Sequence, residues 1–188
     1  QYSVFSRHFA SWGFIAVGID YTDDANHEQD AYEAIAVIDW VDSSESPVTD
    51  TVDINRIATA GHSLGGKVAL FAAILDSRIK SVIGWDPVDA GGPPCFIDPE
   101  QCNAWSIAPN SFDGDEGMMN DLNASFLLFG APPGAFNPEE HNCKRFWEGA
   151  KAPSYFVFFP NGSHLNWPGA SLEQRITKRT QVAWLMRH

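Results

Sequence analysis

The chain has 188 residues, of which 44% are hydrophobic and 19% are charged, a balance typical of a globular domain rather than a disordered chain. The formal net charge of −12 argues against a nucleic-acid partner and against an anionic membrane surface, because both attract basic patches. No apolar run reaches the ~18 residues needed to span a bilayer, so we expect no transmembrane segment. Oligomeric state is left open by the sequence.

Helices and strands alternate along the chain, which predicts an α/β fold with a mostly parallel, doubly wound sheet and helices on both faces. We expect one domain across residues 1–188. The predicted elements, in chain order, are a helix at 2–11, a buried strand at 14–19, a helix at 29–42, a strand at 56–60, a helix at 64–76, strands at 81–85, 125–130 and 155–159, and a helix at 171–186. The Pro/Gly-rich connection 86–105 is long enough to predict a lid or a binding loop.

Cysteine is sparse, with Cys95, Cys102 and Cys143 only. Cys95 and Cys102 lie in one Pro-rich segment and could pair, although three reduced thiols are the simpler expectation. No Cys/His spacing is typical of zinc, and we expect neither a metal nor an organic cofactor.

A serine motif, Gly61-His62-Ser63-Leu64-Gly65, follows the predicted strand 56–60 and begins the predicted helix 64–76. This strand–turn–helix context is what the G-x-S-x-G pattern of a nucleophilic serine requires. We expect a tight turn with Ser63 in a strained backbone conformation and flanking glycines that avoid Cβ clashes. The alternative is that Ser63 is only a helix N-cap.

A serine nucleophile needs a base and an acid, which follow it in the order Ser, acid, His in this kind of fold. Asp86 comes directly after the predicted strand 81–85 and is the preferred acid. Asp89, three residues further along the same turn, is the alternative, and Asp86 could also be a turn-initiating Asp-Pro. The next strand, 125–130, is followed by no carboxylate before Glu139.

His164 is the preferred base, because it lies in a glycine-containing loop after the last predicted strand. His141, on a polar loop, is its rival, and His62 is too close to Ser63 in the turn to reach its hydroxyl. The remaining histidines fit less well by position: His8, His27 and His188.

One oxyanion donor is expected at the backbone N–H of Leu64, the residue after the nucleophile. A second N–H normally comes from a loop after an earlier strand, so we expect that loop and the first strands of the sheet to precede residue 1. Loss of one such donor slows catalysis about 100- to 1000-fold.

Four stretches of the chain resemble the chlorophyllase family of alpha/beta hydrolases. They are FASWGFIAVGID, INRIATAGHSLGGKVALFAAIL, SVIGWDPVD and APPGAFNPEEHNCKRFWEGAKAPSYFVFFPNGSHLNW, which together cover most of residues 8–167. The serine and acid stretches also resemble platelet-activating-factor acetylhydrolases and bacterial polyester-cleaving esterases. Plant chlorophyllases usually have arginine at the position of Leu64 and no residue equivalent to Ser163 between the glycine and the histidine, so the resemblance suggests an algal or bacterial relative.

The resemblance implies an alpha/beta hydrolase fold and a serine carboxylic-ester hydrolase that cleaves chlorophyll to chlorophyllide and phytol, with Ser63, Asp86 and His164 at the triad positions. It also implies a plastid location in a photosynthetic host. The alternatives are a general carboxylesterase, lipase or polyester hydrolase, and a non-catalytic binder of hydrophobic ligands. Several aromatic residues near predicted strand ends could line an apolar pocket, with core packing favoured for Trp12 and Trp147: Trp12, Trp85, Phe96, Trp105, Trp147 and Trp167.

Overall fold

A computed structural model describes residues 3–21, 26–89, 107–108, 117–139, 142–165, 167 and 172–188. Its centre is a parallel sheet of four strands in the order β1-β2-β3-β4. The strands are β1 (Ile57–His62), β2 (Ile79–Trp85), β3 (Ser125–Gly130) and β4 (Ser154–Phe158). Parallel pairing brings all four carboxyl ends to the same edge of the sheet.

In the described part of the chain, five α-helices accompany the sheet, together with a 3₁₀ turn at Met119–Asp121. They are α1 (Ser3–Ala10), α2 (His27–Val41), α3 (Leu64–Leu75), α4 (Cys143–Gly149) and α5 (Leu172–Arg187). No helix in the described part of the chain is both long and apolar enough to cross a membrane.

The central strand β3 is buried on both faces, and its alternate side chains belong to two separate cores. Phe126 and Leu128 pack in a core with residues of α2, α3 and α4. Leu127 and Phe129 pack in a second core with residues of α1 and α5. Successive strand residues point to opposite faces, so the unbroken apolar run of β3 is what a two-sided core requires.

Most predicted elements are confirmed within a few residues, including the strands at 125–130 and 155–159 and the helices on both faces. Helix α2 buries Ala31, Ala34, Ile38 and Val41, whereas Tyr32, which the predicted apolar stripe included, is 50% exposed. The sequence analysis missed α4 and the 3₁₀ turn.

The predicted buried strand at 14–19 is wrong. These residues form no strand, and the side chains of Ile15, Val17 and Ile19 are 44%, 47% and 36% exposed. A strand is stable only when a neighbour accepts and donates its backbone hydrogen bonds, and no described strand pairs with this run. Of the predicted lid at 86–105, all residues after Asp89 lie outside the described part of the chain.

Candidate active site

The turn that carries Ser63 joins the end of β1 to the start of α3. Ser63 has a positive φ of 56°, a conformation that costs energy in any residue except glycine, so the predicted strain is present. Its backbone N–H donates to Trp85 O at 3.1 Å and its carbonyl accepts from Val88 at 3.2 Å, which ties the turn to the end of β2. The Ser63 side chain makes no N-cap hydrogen bond, so the capping alternative has no support.

The glycines around Ser63 differ in what they allow. A Cβ on Gly61 would lie 2.1 Å from Gly65 O, and one on Gly66 would lie 2.7 Å from the Cβ of Pro87. A Cβ on Gly65 would meet nothing within 4 Å. The prediction that flanking glycines avoid Cβ clashes therefore holds for Gly61 but not for Gly65. Gly66 is the second position where neighbouring atoms lie too close for a Cβ.

Asp86 directly follows β2, as the sequence predicts, and it is completely buried. It also has a positive φ, of 46°, and its backbone N–H donates to Phe129 O at 2.6 Å. This bond fixes Asp86 against the end of β3. Two non-glycine residues with positive φ therefore face one another at the carboxyl edge of the sheet.

His164 lies in the loop after β4, and its ring bridges the other two predicted site residues. Its Nδ1 lies 2.7 Å from Oδ2 of Asp86, and its Nε2 lies 2.9 Å from Oγ of Ser63. An ionised carboxylate only accepts, so Nδ1 carries the proton and Nε2 accepts from the serine hydroxyl. The structure thus brings Ser63, Asp86 and His164 into one chain of hydrogen bonds.

Asp89, the alternative acid, lies in a different environment. Its carboxylate accepts from the backbone N–H groups of Ile107 and Ala108 at 2.9 Å and 3.1 Å, and Oδ1 lies 3.5 Å from Nζ of Lys67. Lys67 and Asp89 are both 1% exposed. Burial lowers the pKa of Lys67, and the charge of Asp89 opposes that shift.

His62 precedes Ser63, and its ring contacts His164. Its Nε2 donates to the backbone carbonyl of His164 at 2.7 Å, and the two rings lie 4.7 Å apart. Burial, followed by repulsion from His164, lowers the pKa of His62 from 6.5 to about 4. His62 is therefore neutral at ordinary pH and supports the His164 loop without adding a charge beside it.

No described contact joins the remaining described histidines to Ser63. His8 bonds to Lys178 O at 3.0 Å, and His188 packs on Trp184 at the end of α5. Burial, with a further contribution from Lys67, lowers the pKa of His27 from 6.5 to about 4. The rival base His141 lies outside the described residues.

Leu64 is the first residue of α3, so its backbone N–H has no carbonyl one helical turn earlier to bind. This N–H lies at the positive end of the helix dipole, which favours a developing negative charge. The role expected for Leu64 thus has a suitable geometric setting. Among the described residues, no group of three or more His, Cys, Asp or Glu side chains could hold a metal ion.

Two residues that contact Asp86 were not predicted from the sequence. Asn137 donates from Nδ2 to Oδ2 of Asp86 at 3.0 Å, and the Cys143 thiol donates to Oδ1 at 3.4 Å. Burial, followed by the charge of Asp86, raises the pKa of Cys143 well above its usual value, so the group remains a thiol. Their position in the chain could have indicated them, since both residues follow β3, the strand next to β2, which Asp86 directly follows.

The aromatic residues are distributed differently from the expectation. Trp85 and Trp167 are core residues at 4% exposure, whereas Trp12 and Trp147, for which core packing was favoured, are 53% and 40% exposed. Phe96 and Trp105 lie outside the described residues. Among the described residues, Phe136 lies beside the site: it is 41% exposed and stacks on His164 with ring centroids 6.2 Å apart.

Comparisons with known proteins agree with this architecture. A family model described as PET hydrolase-like matches residues 2–93. Chlorophyllase-2 of Arabidopsis thaliana is 26% identical over an alignment of 189 positions that covers 88% of this chain and 55% of the relative, so the chain spans about half the length of that relative. A solved structure of DcsB in complex with its substrate analogue aligns with a TM-score of 0.71 at 15% identity, covering 98% of this chain and 84% of DcsB. The likeness to DcsB, the parallel sheet and its flanking helices support an alpha/beta hydrolase fold for this chain. The two sequence matches show that the chain is similar to PET hydrolase-like proteins and to a chlorophyllase.

Proposed function

We propose that this chain carries the catalytic residues of a serine carboxylic-ester hydrolase. The observation that supports the proposal most strongly is the pair of hydrogen bonds from Ser63 Oγ to His164 and from His164 to Asp86, at 2.9 Å and 2.7 Å. The three side chains follow three different strands of one sheet and meet at its carboxyl edge, where open α/β sheets hold their ligands. The match to a PET hydrolase-like family model and the likeness to Chlorophyllase-2 support the same class of chemistry.

The reaction follows from the roles of these groups. Ser63 Oγ attacks the ester carbonyl carbon while His164 Nε2 takes the hydroxyl proton, and Asp86 stabilises the imidazolium that forms. The Leu64 N–H donates to the oxyanion. The bond from the carbonyl carbon to the alcohol oxygen then breaks, and His164 returns the proton to that oxygen. A water molecule attacks the acyl-enzyme by the same route, which releases the acid and restores the Ser63 hydroxyl.

Ser63 is tested by labelling with a fluorophosphonate probe. We expect the probe to label the wild-type protein and to leave Ser63→Ala unlabelled. Ser163→Ala is the matched control, because Ser163 is an exposed serine next to His164 whose loss leaves the Ser63 hydroxyl in place. Labelling that persists in Ser63→Ala would overturn the assignment.

For the substrate, we propose chlorophyll, with phytol as the leaving alcohol and chlorophyllide as the acyl part. The likeness to Chlorophyllase-2 supports this choice, and the exposed Phe136 ring beside His164 suits an apolar ester. The PET hydrolase-like match favours a polyester as the second candidate. Values of kcat/KM for chlorophyll a, p-nitrophenyl butyrate and a polyester film separate the two. Rapid turnover of the short ester with chlorophyll untouched would contradict the first choice, and pigment binding without turnover of any ester would favour a non-catalytic binder.

A further inference from the structure

The carboxylate of Asp86 accepts more hydrogen bonds than its contact with His164 requires. Oδ1 accepts from the backbone N–H of Ala131 at 3.0 Å and from the thiol of Cys143 at 3.4 Å. Oδ2 accepts from His164 Nδ1 at 2.7 Å and from Asn137 Nδ2 at 3.0 Å. Each oxygen therefore has two donors, which uses the lone-pair sites of the carboxylate.

We propose that Asn137 is a positioning residue for the base: its side-chain amide shares Oδ2 of Asp86 with His164 and thereby fixes the carboxylate that orients the imidazole. This inference rests on the proposed function, because it assigns a supporting role to a neighbour of the proposed acid. Asn137 does not touch the Ser63 hydroxyl in any described contact, so it acts through Asp86 alone.

Asn137 is itself held firmly enough for this role. The residue is 1% exposed, and its Nδ2 donates a second hydrogen bond to Pro132 O at 3.0 Å. Its backbone forms a two-way pair with Gly134, at 3.2 Å and 3.3 Å. Both partners of the amide nitrogen are acceptors, so the orientation with Nδ2 toward Asp86 is fixed by the hydrogen-bond pattern. The Pro/Gly turn after β3 therefore presents one amide proton to Asp86.

The shared oxygen has a chemical consequence for His164. A second donor on Oδ2 spreads the carboxylate charge, so the carboxylate attracts the His164 proton less strongly than it would alone. The described groups that face His164 are the Asp86 carboxylate, the Ser63 hydroxyl, the neutral His62 and the ring of Phe136. Cys143 contacts Asp86 rather than His164. None of these can replace the Asn137 donor, since His62 already bonds to the His164 backbone.

The test compares Asn137→Leu and Asn137→Ala with the matched control Asn142→Leu. Asn142 is a second buried asparagine of the same segment, but its side chain caps α4 and bonds to Glu139 O and Lys144 N instead of Asp86. For p-nitrophenyl butyrate, we expect both Asn137 variants to lose kcat about 10- to 100-fold with little change in KM. We also expect the acid limb of their kcat/KM profile to move about 0.5–1 pH unit higher, whereas Asn142→Leu keeps the wild-type limb.

Proton NMR supplies a readout that needs no turnover. The His164 Nδ1 proton should move to lower field in the Asn137 variants, because Oδ2 then has one donor only, and it should stay in place in Asn142→Leu. In the wild-type protein one Asn137 amide proton should exchange slowly with solvent, which keeps the inference testable even where a variant does not fold. The role of Asn137 would be overturned if the acid limb of the kcat/KM profile and the His164 Nδ1 resonance both stayed unchanged in the Asn137 variants. Rapid solvent exchange of both Asn137 side-chain amide protons in the wild type would overturn it as well. Absence of esterase activity and of Ser63 labelling in the wild type would instead overturn the proposed function.

Discussion

Two aspartates of the DPVD turn lie three residues apart, and both are buried, yet their surroundings differ. Asp89 is paired with a cation, Lys67, and with two backbone N–H groups. Asp86 accepts from a backbone N–H, an amide, a thiol and an imidazole, so no Lys or Arg is among its described partners. The charge of Asp89 is therefore balanced inside the fold.

The described partners of the Asp86 carboxylate are uncharged hydrogen-bond donors, and one of them is an imidazole that can accept a proton at its other nitrogen. A negative charge in this state stabilises an imidazolium when one forms. A buried carboxylate with no lysine or arginine partner, such as Asp86, therefore suits a catalytic role. A buried carboxylate paired with a lysine, such as Asp89, suits a structural role. The following predictions test that division.

The largest expected effect is that of Asp86→Asn. Asparagine has the same shape and tolerates the positive φ of this position, so the turn should keep its backbone. The amide no longer selects the His164 tautomer with the proton on Nδ1, and we expect kcat to fall roughly 10⁴-fold. Steady-state kinetics with p-nitrophenyl butyrate measures the change, with circular dichroism to show that the fold persists.

Asp89→Asn is the matched control for that substitution. It should lower kcat far less, because no described contact joins Asp89 to His164. A loss of kcat in Asp89→Asn equal to that of Asp86→Asn would contradict the division between the two residues.

The second effect is on stability and concerns the Lys67–Asp89 pair. Lys67→Met leaves Asp89 buried without its cation, and Asp89→Asn leaves the Lys67 ammonium without its anion. Removing one partner of a buried ion pair costs about 3–5 kcal/mol of the free energy of unfolding. Urea denaturation of both variants measures this cost.

The double variant Lys67→Met/Asp89→Asn sharpens the same test, because it removes both charges together. We expect it to be more stable than the sum of the two single effects, by about 1–3 kcal/mol. Simple additivity would show that the two side chains do not interact energetically.

Sequence reasoning found the residues whose position follows from the order of elements. Ser63, Asp86 and His164 each come directly after a strand or in the loop beyond it, and parallel strands bring those ends together. The sequence favoured Asp86 over Asp89 by its place at the strand end but left Asp89 open, because the surroundings of each carboxylate depend on which side chains fold back onto it. Asn137 was missed for the same reason.

The incorrect strand at 14–19 has a different cause. Its residues have the β-branched, apolar composition of a buried strand. Composition does not show whether a neighbouring strand is present to pair with the segment, and a strand needs such a neighbour. In the structure Val17 is 47% exposed, and the run pairs with no described strand. The interior strand β3, by contrast, has neighbours on both sides and matches the prediction at both ends.

The third prediction concerns pH and compares one histidine from each aspartate's surroundings. His62 lies beside His164, and His27 interacts with Lys67 and Asp89, yet burial lowers the pKa of each from 6.5 to about 4. Between pH 6.5 and 4 the unfolded chain binds protons that the folded chain does not, so the free energy of unfolding falls as the pH falls. The loss approaches about 3 kcal/mol for each histidine.

Urea titrations at several pH values measure this slope. We expect His62→Asn and His27→Asn each to flatten it, because each removes one proton-linked group. A slope that stays the same in either variant would show that the histidine concerned takes up its proton over the same pH range in the folded protein as in the unfolded chain.

The smallest expected effect concerns the chain that separates the two aspartates. Pro87 lies between them, and Gly66 of α3 packs against it so closely that a Cβ would lie 2.7 Å from the Cβ of Pro87. Gly66→Ala should therefore push the DPVD turn away from α3 and lower the free energy of unfolding by about 1–3 kcal/mol. Gly65→Ala is the matched control, because its Cβ meets nothing within 4 Å and alanine favours the helix by about 0.5–1 kcal/mol. Thermal unfolding should move in opposite directions for the two variants. If both variants were destabilised equally, the cost would come from adding any side chain to the first turn of α3. The contact between Gly66 and Pro87 would then not be its cause.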